Sequence, residues 1–77
     1  MPHVVVKLMS GRSETQKRDL SARLAQVVME THGSASEAVS VAIEDVPAGR
    51  WEVDVFEPDI KGRKHTLYRK PGYASAD

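Results

Sequence analysis

The chain contains no cysteine, and its 11 basic residues are balanced by 11 acidic ones. The first absence excludes a disulfide framework. The second argues against a general nucleic-acid binder, whose affinity comes mostly from neutralising phosphates. No apolar run approaches the length needed to span a bilayer. The N-terminus also lacks the charged head and long apolar stretch of a signal peptide. A cytoplasmic protein with neither a membrane nor a nucleic acid as partner is therefore expected. His3, His32 and His65 are scattered without ligand spacing, so no metal site is expected. No phosphate-binding glycine loop or metal-binding helix motif is present.

At 77 residues the chain reads as one domain, 1–77, with 69–77 as a C-terminal tail. A core of this size supplies only about 3–5 kcal/mol of net stability, and small domains compensate with disulfides, metals or self-association. With the first two set aside, a homo-oligomer is expected.

His3 to Leu8 alternates as a strand, with Val4, Val6 and Leu8 on one side and His3, Val5 and Lys7 on the other. In "SETQKRDLSARLAQVVMETHG", Ser13 and Gln16 have the spacing of a capping box. Leu20, Leu24, Val27, Val28 and Thr31 form an apolar stripe, with Lys17, Arg18, Arg23, Gln26 and Glu30 left for water and Gly33 as the C-cap. "SASEA" is a turn or short helical piece. "VSVAIEDV" is a second strand, with Val39, Val41 and Ile43 on one face. Strand, long helix, strand is a β-α-β unit of the α/β (α+β) class with parallel strands. Beyond the Pro47-Ala48-Gly49 turn, "WEVDVF" reads as a short third strand or an extended arm. Pro58 to Arg69 has room for a short helix with Ile60, Lys64 and Leu67 on one side, although Gly62 counts against it. Lys70 to Tyr73 is a turn, and Ala74 to Asp77 a frayed end.

Proline is small enough to permit removal of the initiator methionine, which would leave Pro2 with a free secondary amine. An α-amino group titrates at about 7.7–8.0, and burial or nearby cations would lower that value towards the working pH. Such a group is a base, a nucleophile or, protonated, an acid; alternatively, Pro2 merely opens an edge strand. Arg12 stands between a strand end and a helix start, where anions bind, and is either a carboxylate clamp or a solvated loop residue. Trp51, the single tryptophan, is either an apolar pocket wall or a plain core or interface aromatic. The basic run "KGRKHTLYRK" reads as a solvated face, paired with Glu52, Asp54 and Glu57.

Taken together, Met-Pro before a short strand, "GRSETQK" opening a long helix and "VSVAIEDVPAGRW" resemble the 4-oxalocrotonate tautomerase family over about residues 2–51. The length and the ending "LYRKPGY" are similar to its slightly longer, dimeric subgroup. The resemblance implies a cofactor-independent keto-enol tautomerase. In that family the terminal proline moves a proton between an enol oxygen and a carbon of a 2-hydroxy-dienoate or aryl-enol carboxylic acid. By position, the resemblance implies Pro2 as general base, Arg12 on the substrate carboxylate and Trp51 as the aromatic wall. Ser40 stands where the hexameric members carry a second substrate-binding arginine, and Arg50 is the candidate replacement. A monocarboxylate enol such as phenylenolpyruvate therefore fits better than a dicarboxylate. A homodimer is expected first and a hexamer second. The alternatives are a hydratase, dehalogenase or decarboxylase with protonated proline, using Glu44, Asp45, Glu52 or Asp54 to activate water, and a non-catalytic dimeric binding module.

Overall fold

In the computed structural model, which describes residues 1–73, the expected β-α-β unit is present: β1 (His3–Met9), α1 (Glu14–His32) and β2 (Ser40–Val46). The strands are parallel and paired in register from His3↔Ser40 to Met9↔Val46. The pairing continues past both ends, where the Ser40 N–H donates to the Pro2 carbonyl at 3.2 Å and the Ser10 N–H to the Val46 carbonyl at 3.0 Å.

The helix begins and ends where its local chemistry dictates. The Gln16 N–H donates to Ser13 Oγ at 3.1 Å, and the Ser13 N–H donates to Gln16 Oε1 at 2.9 Å, closing the capping box. At the other end Gly33 adopts φ 79°, a left-handed geometry costly for a residue with a Cβ, and its N–H reaches the Met29 carbonyl at 3.0 Å. The covered stripe is Lys17, Leu20, Ser21, Leu24, Ala25, Val28 and Met29. Two members of the expected stripe fall outside it. Val27 is 53% exposed, and Thr31 is exposed with its hydroxyl donating to the Val27 carbonyl. Lys17, expected in water, is largely covered, and its ammonium lies 2.7 Å from both Glu14 and Asp45. This ion pair ties α1 to β2 on the sheet face that carries Val41 and Ile43.

The opposite sheet face carries His3, Val5, Lys7 and Met9 of β1 with Ser40, Ala42, Glu44 and Val46 of β2. Its C-terminal end is covered by an arm, Glu52–Lys61, which is a π-helix and not the expected strand. The alternation of Val53 and Val55 suggested the strand, but the two residues behave differently: Val53 is exposed and Val55 buried. The covered positions Trp51, Val55, Phe56, Asp59 and Ile60 recur at a helical period, and a short apolar run does not separate the two possibilities by period alone. An α-helical turn would press the Pro58 ring against the Asp54 carbonyl; the arm winds wider. Gly62 ends it, with its N–H on the Glu57 carbonyl at 2.8 Å. A Cβ there would stand 2.8 Å from the Pro58 carbonyl oxygen. The expected helix from Pro58 to Arg69 is therefore interrupted, leaving a single 3-10 turn at Lys64–Thr66. Short 3-10 turns also form at Ser36–Ala38 and at Ala48–Arg50. The frayed end expected at Ala74 to Asp77 lies outside the described residues.

The core is thin. Among the described residues only Val46, at 7% exposure, and Val55, at 5%, are buried in a single chain. On the open face Val5 and Met9 remain 46% and 47% exposed.

Candidate active site

Parallel strands bring like ends together, and this sorts the candidate residues into two groups. Pro2 and Ser40 lie at the N-terminal end of the sheet. The Pro2 carbonyl accepts from the Ser40 backbone, so the residue is held at the mouth of a paired strand. His3, directly opposite Ser40, places Nδ1 2.6 Å from Ser40 Oγ. The sequence did not mark His3 as a partner of Ser40, because only the strand register makes the two neighbours.

Arg12 follows the C-terminal end of β1, and Arg50 and Trp51 follow the same end of β2. At about 3.3 Å per residue, β1 separates Pro2 from Arg12 by about 20 Å, far beyond the reach of a side chain. The two leading candidates therefore do not meet within one chain. Gly11, at φ 128°, makes the turn that brings Arg12 out of the strand and up to the helix cap. Arg12 is exposed and has no ion-pair partner among the described residues. Arg50, by contrast, is taken. Its Nη2 and Nε donate to the two oxygens of Asp54 at 2.9 and 3.2 Å, a bidentate pair one helical turn away. Both side chains are exposed, so this is a surface pair.

Trp51 is half-buried, and its Nε1–H donates to the Tyr73 hydroxyl at 3.1 Å. The Tyr73 ring in turn packs against Phe56 at a centroid distance of 5.9 Å and a tilt of 47°. The C-terminal segment thus folds back onto the arm through a three-ring cluster. Tyr73 lay unassigned in the sequence because 22 residues separate it from its partner.

The remaining charges hold elements together. Lys7 Nζ lies 2.5 Å from Asp59, fastening the arm to the open face, and this bond holds the ammonium above its ordinary pKa. Hydrogen bonds to Asp45 and Glu14 likewise raise Lys17, and the bond from Lys17 holds the Glu14 carboxyl below its usual range. Of the four carboxylates considered for water activation, Asp45 and Asp54 are engaged by Lys17 and Arg50. The expected pairing of the basic run with the acidic residues is realised only in Glu57–Lys61, at 3.9 Å. Among the described residues, no group of three or more His, Asp and Glu is placed to hold a metal ion, and no helix is long and apolar enough to cross a membrane.

The parallel β-α-β unit, with Pro2 just before β1 and Arg12 just before α1, is the arrangement that the resemblance to the 4-oxalocrotonate tautomerase family implies. Comparison with known proteins agrees. Residues 2–65 match the family model described as tautomerase enzyme. A protein of Xylella fastidiosa described as "Probable tautomerase" is 47% identical over 73 residues, covering 95% of this chain and 89% of that one. Tautomerase PptA of Pectobacterium carotovorum is 37% identical over 75 residues, covering 96% and 99%. The crystal structure of TomN, described as a 4-oxalocrotonate tautomerase homologue in the tomaymycin biosynthetic pathway, superposes with a TM-score of 0.64 at 38% identity, covering 65% of this chain and 77% of that one. The chain belongs to the tautomerase family, in its 4-oxalocrotonate tautomerase branch.

Proposed function

We propose that the chain is a cofactor-independent keto-enol tautomerase whose general base is the amine of Pro2, freed by removal of Met1. The base takes the proton of a substrate enol. The electrons of the broken O–H bond form the carbonyl, and the C=C pair takes the proton back from the prolinium at carbon. The observation that carries this reading is the anchoring of Pro2: its carbonyl is held by Ser40 at 3.2 Å, one residue before the register begins, so the nitrogen has a fixed place. Arg12 binds the substrate carboxylate, and Trp51 walls the site.

These residues form one site only if two copies combine, Pro2 from one and Arg12 with Trp51 from another, because β1 holds them about 20 Å apart in a single chain. The two exposed valine and methionine side chains of the open face, Val5 and Met9, and the two-residue core support self-association. A homodimer is the assembly proposed; sedimentation distinguishes it from a hexamer. The substrate class is a monocarboxylate enol such as phenylenolpyruvate, since Ser40 carries no charge where the hexameric members have a second substrate-binding arginine. Catalysis by a protonated proline, the second reading, would need a carboxylate to activate water; Asp45 and Asp54 are engaged, which leaves Glu44 and Glu52 for that role. The expected cytoplasmic location belongs to this proposal, and fractionation of cells making the untagged chain tests it.

The deciding experiment is ketonisation of phenylenolpyruvate by the processed protein and by a folded form that retains Met1. Retention converts the Pro2 nitrogen into an amide with no usable lone pair, so activity should be lost. Full activity in the Met1-retaining protein would overturn the mechanism.

A further inference from the structure

We propose that Tyr73 is a positioning residue of the site: its hydroxyl, by accepting the Trp51 N–H, holds the indole so that it offers a substrate hydrocarbon alone. The inference rests on the reading of Trp51 as a wall of the site. Two contacts place Tyr73. Its hydroxyl takes the Trp51 Nε1–H at 3.1 Å, and its ring lies 5.9 Å from that of Phe56 at a tilt of 47°, within the range of favourable aromatic pairs. Trp51 caps the arm and Phe56 lies within it, so Tyr73 is braced on one ring of the arm while it holds the other. Tyr73 itself is 65% exposed and fills no core. The remaining aromatic residue, Tyr68, is fully exposed, so no other ring orients the indole.

The consequence for recognition follows from the donors available. An indole has one polar atom, Nε1, and that atom only donates. With its hydrogen spent on Tyr73, Trp51 has nothing to give a carboxylate and presents an apolar ring, which suits an aryl or other hydrocarbon group. A free N–H would serve differently, as a charge-assisted donor to a substrate carboxylate. Tyr73 therefore sets specificity through Trp51, favouring a substrate with an apolar end over one with a second carboxylate. This selection adds to the lack of charge at Ser40 and does not depend on it.

A specificity ratio is the test, because a residue that only stabilises the fold would weaken every ligand alike. Cinnamate and muconate serve as unreactive probes with one and two carboxylates, each read as a competitive inhibition constant against phenylenolpyruvate. Tyr73→Phe keeps the ring packing and frees the indole N–H. The cinnamate constant should rise and the muconate constant stay or fall, narrowing the preference for cinnamate by about two- to tenfold, the scale of one neutral hydrogen bond. KM for phenylenolpyruvate should rise with the cinnamate constant while kcat stays within about twofold, because the wall meets ground state and transition state alike. Trp51→Phe keeps an apolar ring without an N–H, and in that background Tyr73→Phe should leave the ratio unchanged. If Trp51→Ala raises KM but Tyr73→Phe fails to narrow the ratio, or narrows it equally in the Trp51→Phe background, the inference is overturned and Trp51 keeps its role. If Trp51→Ala leaves KM as in the parent, the reading of Trp51 as a wall fails and this inference with it. A parent that does not turn over phenylenolpyruvate removes both, together with the proposed function.

Discussion

The Trp51 indole donates its N–H to the Tyr73 hydroxyl at 3.1 Å, joining the start of the arm to the C-terminal segment across 22 residues. Phe56 completes the cluster from the next turn of the arm, packing against the Tyr73 ring. Because the chain has a single tryptophan, emission excited in the indole comes from Trp51 alone. Tyr73→Phe keeps the ring packing and removes the acceptor. It should shift Trp51 emission and lower stability by about 0.5–1.5 kcal/mol, the net worth of one hydrogen bond. Thermal melting and an emission spectrum check both, and an unchanged spectrum would mean the indole does not depend on Tyr73. If Trp51 also walls the site, Trp51→Ala should let water reach the Pro2 amine and raise its pKa, because desolvation disfavours the charged form. The rising limb of the pH–rate profile should then move to higher pH, with activity near neutrality reduced.

The distance between Pro2 and Arg12 leads to a mixing experiment. Arg12→Ala should chiefly raise KM, by about ten- to a hundredfold for one lost charge-assisted contact, with Arg12→Lys recovering part of it. Pro2→Ala should lower kcat by about 10²–10⁴-fold. When the two variants are unfolded together and refolded, a two-fold symmetric dimer with shared sites regains one intact site in each mixed pair, or about a quarter of the parental sites. A mixture no more active than its components would show that each chain supplies its own site.

Gly62 should resist substitution. A Cβ would sit 2.8 Å from the Pro58 carbonyl oxygen and 2.9 Å from that of Glu57, both of them backbone and unable to swing aside. Gly62→Ala should therefore cost about 1–3 kcal/mol, the range for overpacking, read as a lower melting temperature. Gly72→Ala meets no atom within 4 Å and serves as the control.

The Glu14–Lys17–Asp45 cluster makes stability depend on pH at both extremes. The hydrogen bond from Lys17 holds the Glu14 carboxyl below its ordinary 4.5, so its contribution is present above that value and disappears as pH falls through the lowered pKa. The Lys17 ammonium is held above its ordinary 10.5 by Asp45 and Glu14. Its contribution is therefore complete below 10.5 and fades as pH rises through the raised pKa. Lys7, raised by Asp59, behaves like Lys17. Melting curves of Lys17→Met should lose both the acid-side and part of the alkaline-side dependence. Curves that parallel the parent at every pH would remove the cluster from the account.

What the sequence determined by itself is the local chemistry. Ser13 with Gln16 and Gly33 bound the helix because a cap needs only residues three or four apart. The alternation of Val4 to Leu8 and of Val41 to Ile43 marks two strands, and a long helix between them requires that they run parallel. Family membership was likewise legible, in the proline, the "GRSETQK" segment and the second strand. The tertiary structure decided which of these residues are neighbours. Val53 and Val55 alternate as a strand would, yet only Val55 is buried, and the segment coils into a helix that widens around Pro58 and ends at Gly62. Asp54 occupies Arg50, a pairing that exists only once the arm has coiled. The register set His3 against Ser40, and a register is a property of two strands that neither encodes alone. The same parallel pairing put Pro2 and Arg12 at opposite ends of one sheet, because a strand of seven residues is rigid and longer than any side chain that could bridge it.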